Sequence, residues 1–302
     1  MTGVQTCALP ISKETKMKTS GLFTLHRYAI KAKHREPINL VFFGDVHRDS
    51  PNFADTAWKS FLTHAKSLPN PYFIGMGDYF DGISTSERRL FQGAGLHEST
   101  LINMEREAQS RITKLAMELD FMRGRLIGLL GGNHYWPFPD GTDSDQRLAG
   151  HLRTKFLGVC SFIRLTVETA NTKQSRDLFL HHGAGAGRLP GGSINRVNQM
   201  AENAVADIYA SGHDHKRGVW PINPRLTLEQ DAKSGLRLKH RDGWLVKTGS
   251  FLAAYEDGVA NYNVDAGRGP SSLGHVELEI TPIDQTGPGG VKIRELQIRG
   301  IS

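Results

Sequence analysis

Cysteine is almost missing from this chain: its 302 residues include two, Cys7 and Cys160, and no Cys-x-x-Cys pair. That scarcity excludes a disulfide framework. Long apolar runs are missing too. No stretch of about 18 uncharged apolar residues occurs, so no transmembrane helix and no membrane partner are expected. Residues 1–16 have neither the basic start nor the extended apolar segment of a secretory signal. They read as an extraneous or disordered leader, closer to translated sequencing-adapter sequence than to protein, and native sequence is expected to begin near Met17. Unpaired thiols and no export signal make the cytoplasm the expected compartment. No repeat with a period of about 20 to 50 residues, low-complexity tract or Pro/Ser-rich linker divides the chain, so 17–302 reads as a single domain whose C-terminal strands complete it. The formal charge of +6 is spread along the whole length. It permits nucleic acid as a partner without requiring it.

What is present is an alternation of apolar strands and amphipathic helices. Ile38 to Phe43 reads as a buried strand, and Ser50-Pro51 as the start of a helix whose buried face carries Phe53, Ala57, Trp58, Phe61, Leu62 and Ala65. Tyr72 to Met76 is a second strand. Leu101, Met104, Ala108, Ile112, Leu115, Leu119 and Met122 mark one face of a long helix, and Arg125 to Leu130 returns as a third strand. This order argues for parallel crossovers in an α/β fold. Ser161 to Thr169 alternates as a half-exposed strand does. Asp177 to His181, Asp207 to Ala210, Trp244 to Thr248, His275 to Ile280 and Val291 to Ile298 are further extended segments, with a helix between Ile194 and Ala204.

Five islands of metal-ligand residues sit where apolar runs give way to glycine or a loop. They are Gly44-Asp45-Val46-His47, Gly77-Asp78-Tyr79-Phe80-Asp81, Gly132-Asn133-His134, His181-His182-Gly183 and Gly212-His213-Asp214-His215. A carboxylate or imidazole placed directly after a strand is held more firmly than one on a free loop, and the carboxyl ends of strands are where α/β sheets build their sites. The islands supply enough Asp, Asn and His for two adjacent ions, which points to hydrolytic phosphate chemistry.

In order and residue type the islands resemble the signature of the calcineurin-like metallophosphoesterases: D-x-H, G-D-x-x-D, G-N-H, a single His, and G-H-x-H. The resemblance covers roughly residues 38 to 255. It implies two packed mixed β-sheets flanked by helices, a four-layer αββα arrangement, with a dinuclear metal centre at one end. Carried over, Asp45, His47 and His215 would hold one metal, Asn133, His182 and His213 the other, and Asp78 would bridge them. Two divalent ions against two carboxylates leave the site cationic, able to take a hydroxide together with an anionic phosphoester. The implied reaction is in-line attack on phosphorus by a metal-bridged hydroxide, with His134 stabilising or protonating the leaving oxygen. Manganese is the expected ion; iron, zinc, nickel and cobalt suit the same donors. Asp81 would orient a ligand imidazole, Asp214 would face solvent, and His181 would be a structural histidine.

Substrate contacts are assigned to Arg48 and Arg188, and the 82–98 loop, with Arg88, Arg89 and His97, could roof the site. Tyr135 stands where many family members carry glutamate, which bears on substrate preference. The glycines of 183–192 match no P-loop and would let backbone approach the metals. The basic residues between Lys216 and Arg241 read as a charged hairpin or solvated edge. The expected function is a metal-dependent phosphoester hydrolase, with phosphodiesters of nucleotides or nucleic acid favoured as substrates. A phosphomonoesterase or protein phosphatase, and a non-catalytic scaffold of the same fold, are the competing readings.

Overall fold

The computed structural model describes residues 21–83, 97–185, 189–231, 235–255, 257–258, 262–265, 267, 269–286 and 292–302. The leader 1–16, Arg88, Arg89 and Arg188 lie outside the described residues.

Two mixed sheets stack face to face. The first has the order β1 (Phe23–Lys31), β5 (Cys160–Glu168), β6 (Lys173–His181), β7 (Ile208–Ser211), β9 (Gly235–Thr248) and β8 (Arg217–Asp231). The second has the order β11 (Lys292–Ile301), β10 (Val276–Thr286), β2 (Ile38–Phe43), β3 (Pro71–Gly75) and β4 (Leu126–Leu129). β2, β3 and β4 run parallel to one another, as do β6, β7 and β9. The period of two along each strand separates the faces. Leu40 and Phe42 of β2 and Leu278 and Ile280 of β10 meet Ile163 and Leu165 of β5 and Leu178 and Leu180 of β6 in the core between the sheets.

The outer faces are covered by helices. Val41, Phe43 and Phe73 pack under α1 (Asp55–Ser67), α2 (Glu98–Glu118) and α3 (Ser144–His151), through Trp58, Phe61, Ile112, Leu115 and Leu148. Tyr209 and Leu245 pack under α4 (Pro190–Asn203), through Val197 and Ala201. The result is the helix–sheet–sheet–helix layering expected from the sequence.

Several boundaries differ from expectation. The helix expected after Ser50-Pro51 starts at Asp55, with Ala54 at its N-cap and no side-chain cap. Phe53 precedes it and pairs instead in a β-bridge with Leu252. The long helix stops at Glu118 and passes into a 3-10 turn, Asp120–Met122. β1 and α3 gave no sequence signal strong enough to be read. The basic residues after Lys216 do form a hairpin, β8 paired antiparallel with β9.

Candidate metal centre

All five islands lie at the carboxyl ends of strands: after β2, β3 and β4 in one sheet and after β6 and β7 in the other. Because the sheets stack with these ends together, residues far apart in sequence converge. The loops are stitched by backbone hydrogen bonds. Asp45 N donates to Gly77 O at 2.9 Å, Val46 N to Asp78 O at 2.8 Å, and Gly212 N to His182 O at 2.8 Å.

Two groups of the expected ligands result, and a third cluster, His47 with Asp81 and His134, overlaps the first at His47. The first joins Asp45, His47 and His215; the second joins Asp78, His182 and His213; within each, one ligand atom per residue lies within 4.8 Å of the others. Asn133 completes the second group, its Oδ1 lying 3.1 Å from His182 Nε2 and 2.7 Å from His213 Nδ1. Asp78 stands between the groups, with Oδ2 3.2 Å from His182 Nε2 and 3.9 Å from His47 Nε2. Seven side chains expected as ligands are thus brought together.

Close packing and backbone strain hold this arrangement. Of nine non-glycine residues with positive φ among those described, five are Asp45, His47, Asp78, His213 and His215. A left-handed backbone disfavours L side chains, and its concentration here marks the loops as shaped for a site. Glycine is required beside them. A Cβ on Gly212 would stand 2.7 Å from Asp45 Oδ2, and one on Gly77 2.6 Å from His182 Nδ1.

Burial and neighbouring charge set the electrostatics of the centre. Burial, more than the nearby Asp78, pushes the Asp45 carboxyl up to about 7. Burial would raise Asp78 as well, but His182 and His47 hold it well below the usual carboxylate range. Burial would lower His182, yet the Asp78 charge and hydrogen bond bring it up to about 9. Burial and then the charge on His182 lower His213 to about 4, and His215 is held well down by burial and His47. Of the imidazoles facing the two buried carboxylates, His213 and His215 are thereby held neutral, the state in which histidine ligates a metal. His47 Nε2 is buried and without a hydrogen-bond partner, aimed where a metal would accept it. The donor set of carboxylates, one amide oxygen and imidazoles fits divalent transition metals.

The surrounding groups orient the ligands. His47 Nδ1 is 3.0 Å from Asp81 Oδ1, a contact that fixes the orientation of the His47 ring. His182 Nδ1 donates to Met76 O at 2.7 Å. His134 N donates to Asp78 Oδ1 at 2.9 Å and its ring Nδ1 to Asp81 O at 2.7 Å, which puts the ring proton on Nδ1 and leaves Nε2 for other use. His181 is half-buried, and its Nδ1 accepts from Gly183 N at 2.8 Å, a structural contact as expected.

Two expectations need correction. Arg48 does not turn inward. Nε and Nη2 bind Glu118 at 3.0 and 2.7 Å, and the guanidinium stacks 4.4 Å over the Phe53 ring; the Glu118 carboxylate, shared with Trp58 Nε1, outcompetes the site for it. The Asp214 side chain does not face solvent. It is 1% exposed, with Oδ1 2.9 Å from Lys247 Nζ, and its Oδ2 accepts from Ser193 Oγ at 2.6 Å. Lys247 also donates to Gly212 O at 2.8 Å, so a buried lysine fixes the loop that carries His213 and His215. Sequence reasoning missed Lys247; a lysine directly after the apolar run Trp244-Leu245-Val246, still within the strand, was the signal. Asp145 was missed too. Its Oδ2 accepts from Gly132 N at 3.0 Å and steadies the Asn133 loop.

No family model matches the sequence, and no curated protein does. Among solved structures the chain is similar to a conserved uncharacterized protein from Streptococcus pneumoniae, a predicted phosphoesterase, at 11% identity over 87% of this chain and 99% of that one, TM-score 0.29. It is similar to Vps29 from Chaetomium thermophilum at 10% identity over 87% and 96%, TM-score 0.32, and to the inner-membrane-complex anchor GAP50 of Plasmodium at 12% identity over 88% and 89%, TM-score 0.38.

Proposed function

We propose that the chain is a metal-dependent phosphoester hydrolase of the calcineurin-like type. One observation carries the reading: two adjacent ligand groups with Asp78 standing between them, 3.2 Å from His182 and 3.9 Å from His47, and His134 hydrogen-bonded to Asp78 through its backbone N–H. Asp45, His47 and His215 would hold one ion, Asn133, His182 and His213 the other, and Asp78 both. When bound, divalent ions supply neutralisation of phosphoryl charge and a water acidified enough to attack at neutral pH. The chain's own part is positioning. Asp81 turns the His47 ring, Met76 O turns the His182 ring, and Lys247 and Asp214 hold the loop of His213 and His215. His134, its Nδ1 taken up by the Asp81 carbonyl, offers Nε2 to carry the proton that the leaving oxygen needs.

Within that class, phosphodiesters of nucleotides or nucleic acid are the proposed substrates, manganese the proposed ion and the cytoplasm the proposed compartment. The net positive charge and the breadth of the family support the substrate; cysteine usage supports the compartment. Among the described residues no helix is long and apolar enough to cross a membrane. The test is to strip the metal, restore Mn, Ni, Zn or Fe separately, and compare an aryl phosphomonoester with the matching diester, cyclic nucleotides, and single-strand and duplex DNA. Hydrolysis of the diester above the monoester is the expected result. A metal-loaded protein inert on the whole panel would replace the enzyme with a scaffold.

A further inference from the structure

Away from the ligand groups just described, two histidines converge on one carboxylate. His64 stands in the last turn of α1, His275 immediately before β10, and Glu277 on β10 itself. The Nε2 atoms of His64 and His275 lie 2.5 and 2.8 Å from the same atom, Oε1 of Glu277. The two rings are 5.3 Å apart between centroids, and one ligand atom from each of the three residues lies within 4.8 Å of the other two.

The setting of Glu277 is unusual for a carboxylate. Val276 and Leu278 point into the core between the sheets, so alternation sends Glu277 to the helix-covered face, where its register partner on β2 is Val41. There it is 4% exposed. A buried carboxylate is costly unless paired, and the pairing comes from two imidazoles on separate segments. His275 is held in place by the Phe61 ring, 4.7 Å away between centroids. The His64 side chain is 47% exposed, which opens the group to solvent on one side.

We propose that His64, His275 and Glu277 form a mononuclear binding site for a transition-metal ion of the zinc class, distinct from the Asp45–Asp78 centre. Two imidazoles and one carboxylate are a donor set for zinc or cobalt, and three protein ligands leave a fourth tetrahedral position open to water. The set does not suit calcium or magnesium, which take mostly oxygen ligands. On binding, the ion takes the place of the two Nε2–H···O hydrogen bonds: each imidazole gives up its Nε2 proton, to solvent or by tautomerisation to Nδ1, and ligates through the freed Nε2 lone pair. Occupancy would tie the end of α1 to the edge of β10. It would also brace the chain near the first centre: Gly274 N donates to Ser250 O at 2.8 Å, and Ser250 Oγ to Asp45 O at 2.9 Å.

The test is metal stoichiometry, which needs no activity. Chelator-stripped full-length protein is titrated with Co²⁺ at pH 7.5 or so, following visible absorption and bound metal after dialysis, and in parallel with Zn²⁺, following Tm. Wild type is expected to bind one ion per chain more than His64→Ala or Glu277→Gln, with affinity at this position reduced at least about 10-fold in each. His64→Ala removes a half-exposed side chain from a helix surface, and Glu277→Gln keeps size and shape, so circular dichroism should show both folded. Equal stoichiometry and equal affinity in wild type and both variants overturns the site. The difference of one ion stands whatever number the Asp45–Asp78 centre binds, so failure here and failure of the proposed hydrolase are separate results.

Discussion

His134 and Asp78 occupy neighbouring positions but should fail in different ways when altered. His134 lies beside the candidate ligands: its backbone N–H contacts Asp78, while its ring bonds the Asp81 carbonyl, stands 3.9 Å from the Asp81 carboxylate and packs against His47. His134→Gln should therefore retain bound metal and lower kcat by about 10²- to 10⁴-fold; steady-state kinetics alongside metal analysis checks this, and undiminished turnover would remove His134 from the chemistry. Asp78 belongs to one ligand group and stands 3.9 Å from His47 of the other, so under the proposed function Asp78→Asn should weaken both ions together, seen as loss of bound metal on dialysis. Lys247 fails in a third way. Its pair with Asp214 is almost fully buried, with side chains 3% and 1% exposed. Removing one partner of such a pair strands the other charge, so Lys247→Met should cost about 3–5 kcal/mol, read as a lower denaturant midpoint, together with weaker metal retention through the displaced His213 and His215 loop.

Between elements, the strands and the loops beyond them carry different kinds of information. The strand cores were legible because apolar runs and period-two alternation report burial directly: Ile38–Phe43 is strand β2 over the full expected range, and Ile163, Leu165 and Val167 of β5 are all buried. Starts of helices were less legible. Ser50-Pro51 has the composition of a helix start, but Phe53 is drawn into its bridge with Leu252, a tertiary contact that no local pattern contains. Charge pairs across strands are equally invisible in sequence. Asp177 of β6 is held below the usual carboxylate range chiefly by its hydrogen bond from Arg164 of β5, with Arg241 of β9 contributing. A carboxylate with a depressed folded pKa stabilises above its unfolded value, 3.8 here, and that stability is lost as pH falls through the folded pKa. Wild type should accordingly exceed Asp177→Asn in stability at pH 6, and the gap should close below about pH 4; denaturant melts at both pH values measure it, and a gap independent of pH would remove the linkage.

Across the whole molecule, the ordered islands pointed to the candidate centre because a metal site would impose residue types at strand ends, whatever lies between them. The parts that stayed hidden are those fixed by partners from elsewhere in the fold: Glu118 capturing Arg48, Lys247 neutralising Asp214, and Asp145 holding the backbone of Gly132. The same convergence couples the metals to global stability. The candidate ligands come from the ends of five strands in two sheets, and unfolding separates them, so ions that bound the folded chain alone would stabilise it. Each site held at about 100 times its Kd contributes about 2.7 kcal/mol. Chelation should lower Tm, and added Mn²⁺ should restore it in a concentration-dependent way. In Asp78→Asn the metal-dependent rise should shrink, because both ions have lost their shared ligand. His134→Gln should keep the full rise, since its side chain lies outside both ligand groups. A Tm indifferent to chelator in wild-type protein would mean that the two groups hold no ion tightly enough to matter, and the dinuclear centre would fall with it.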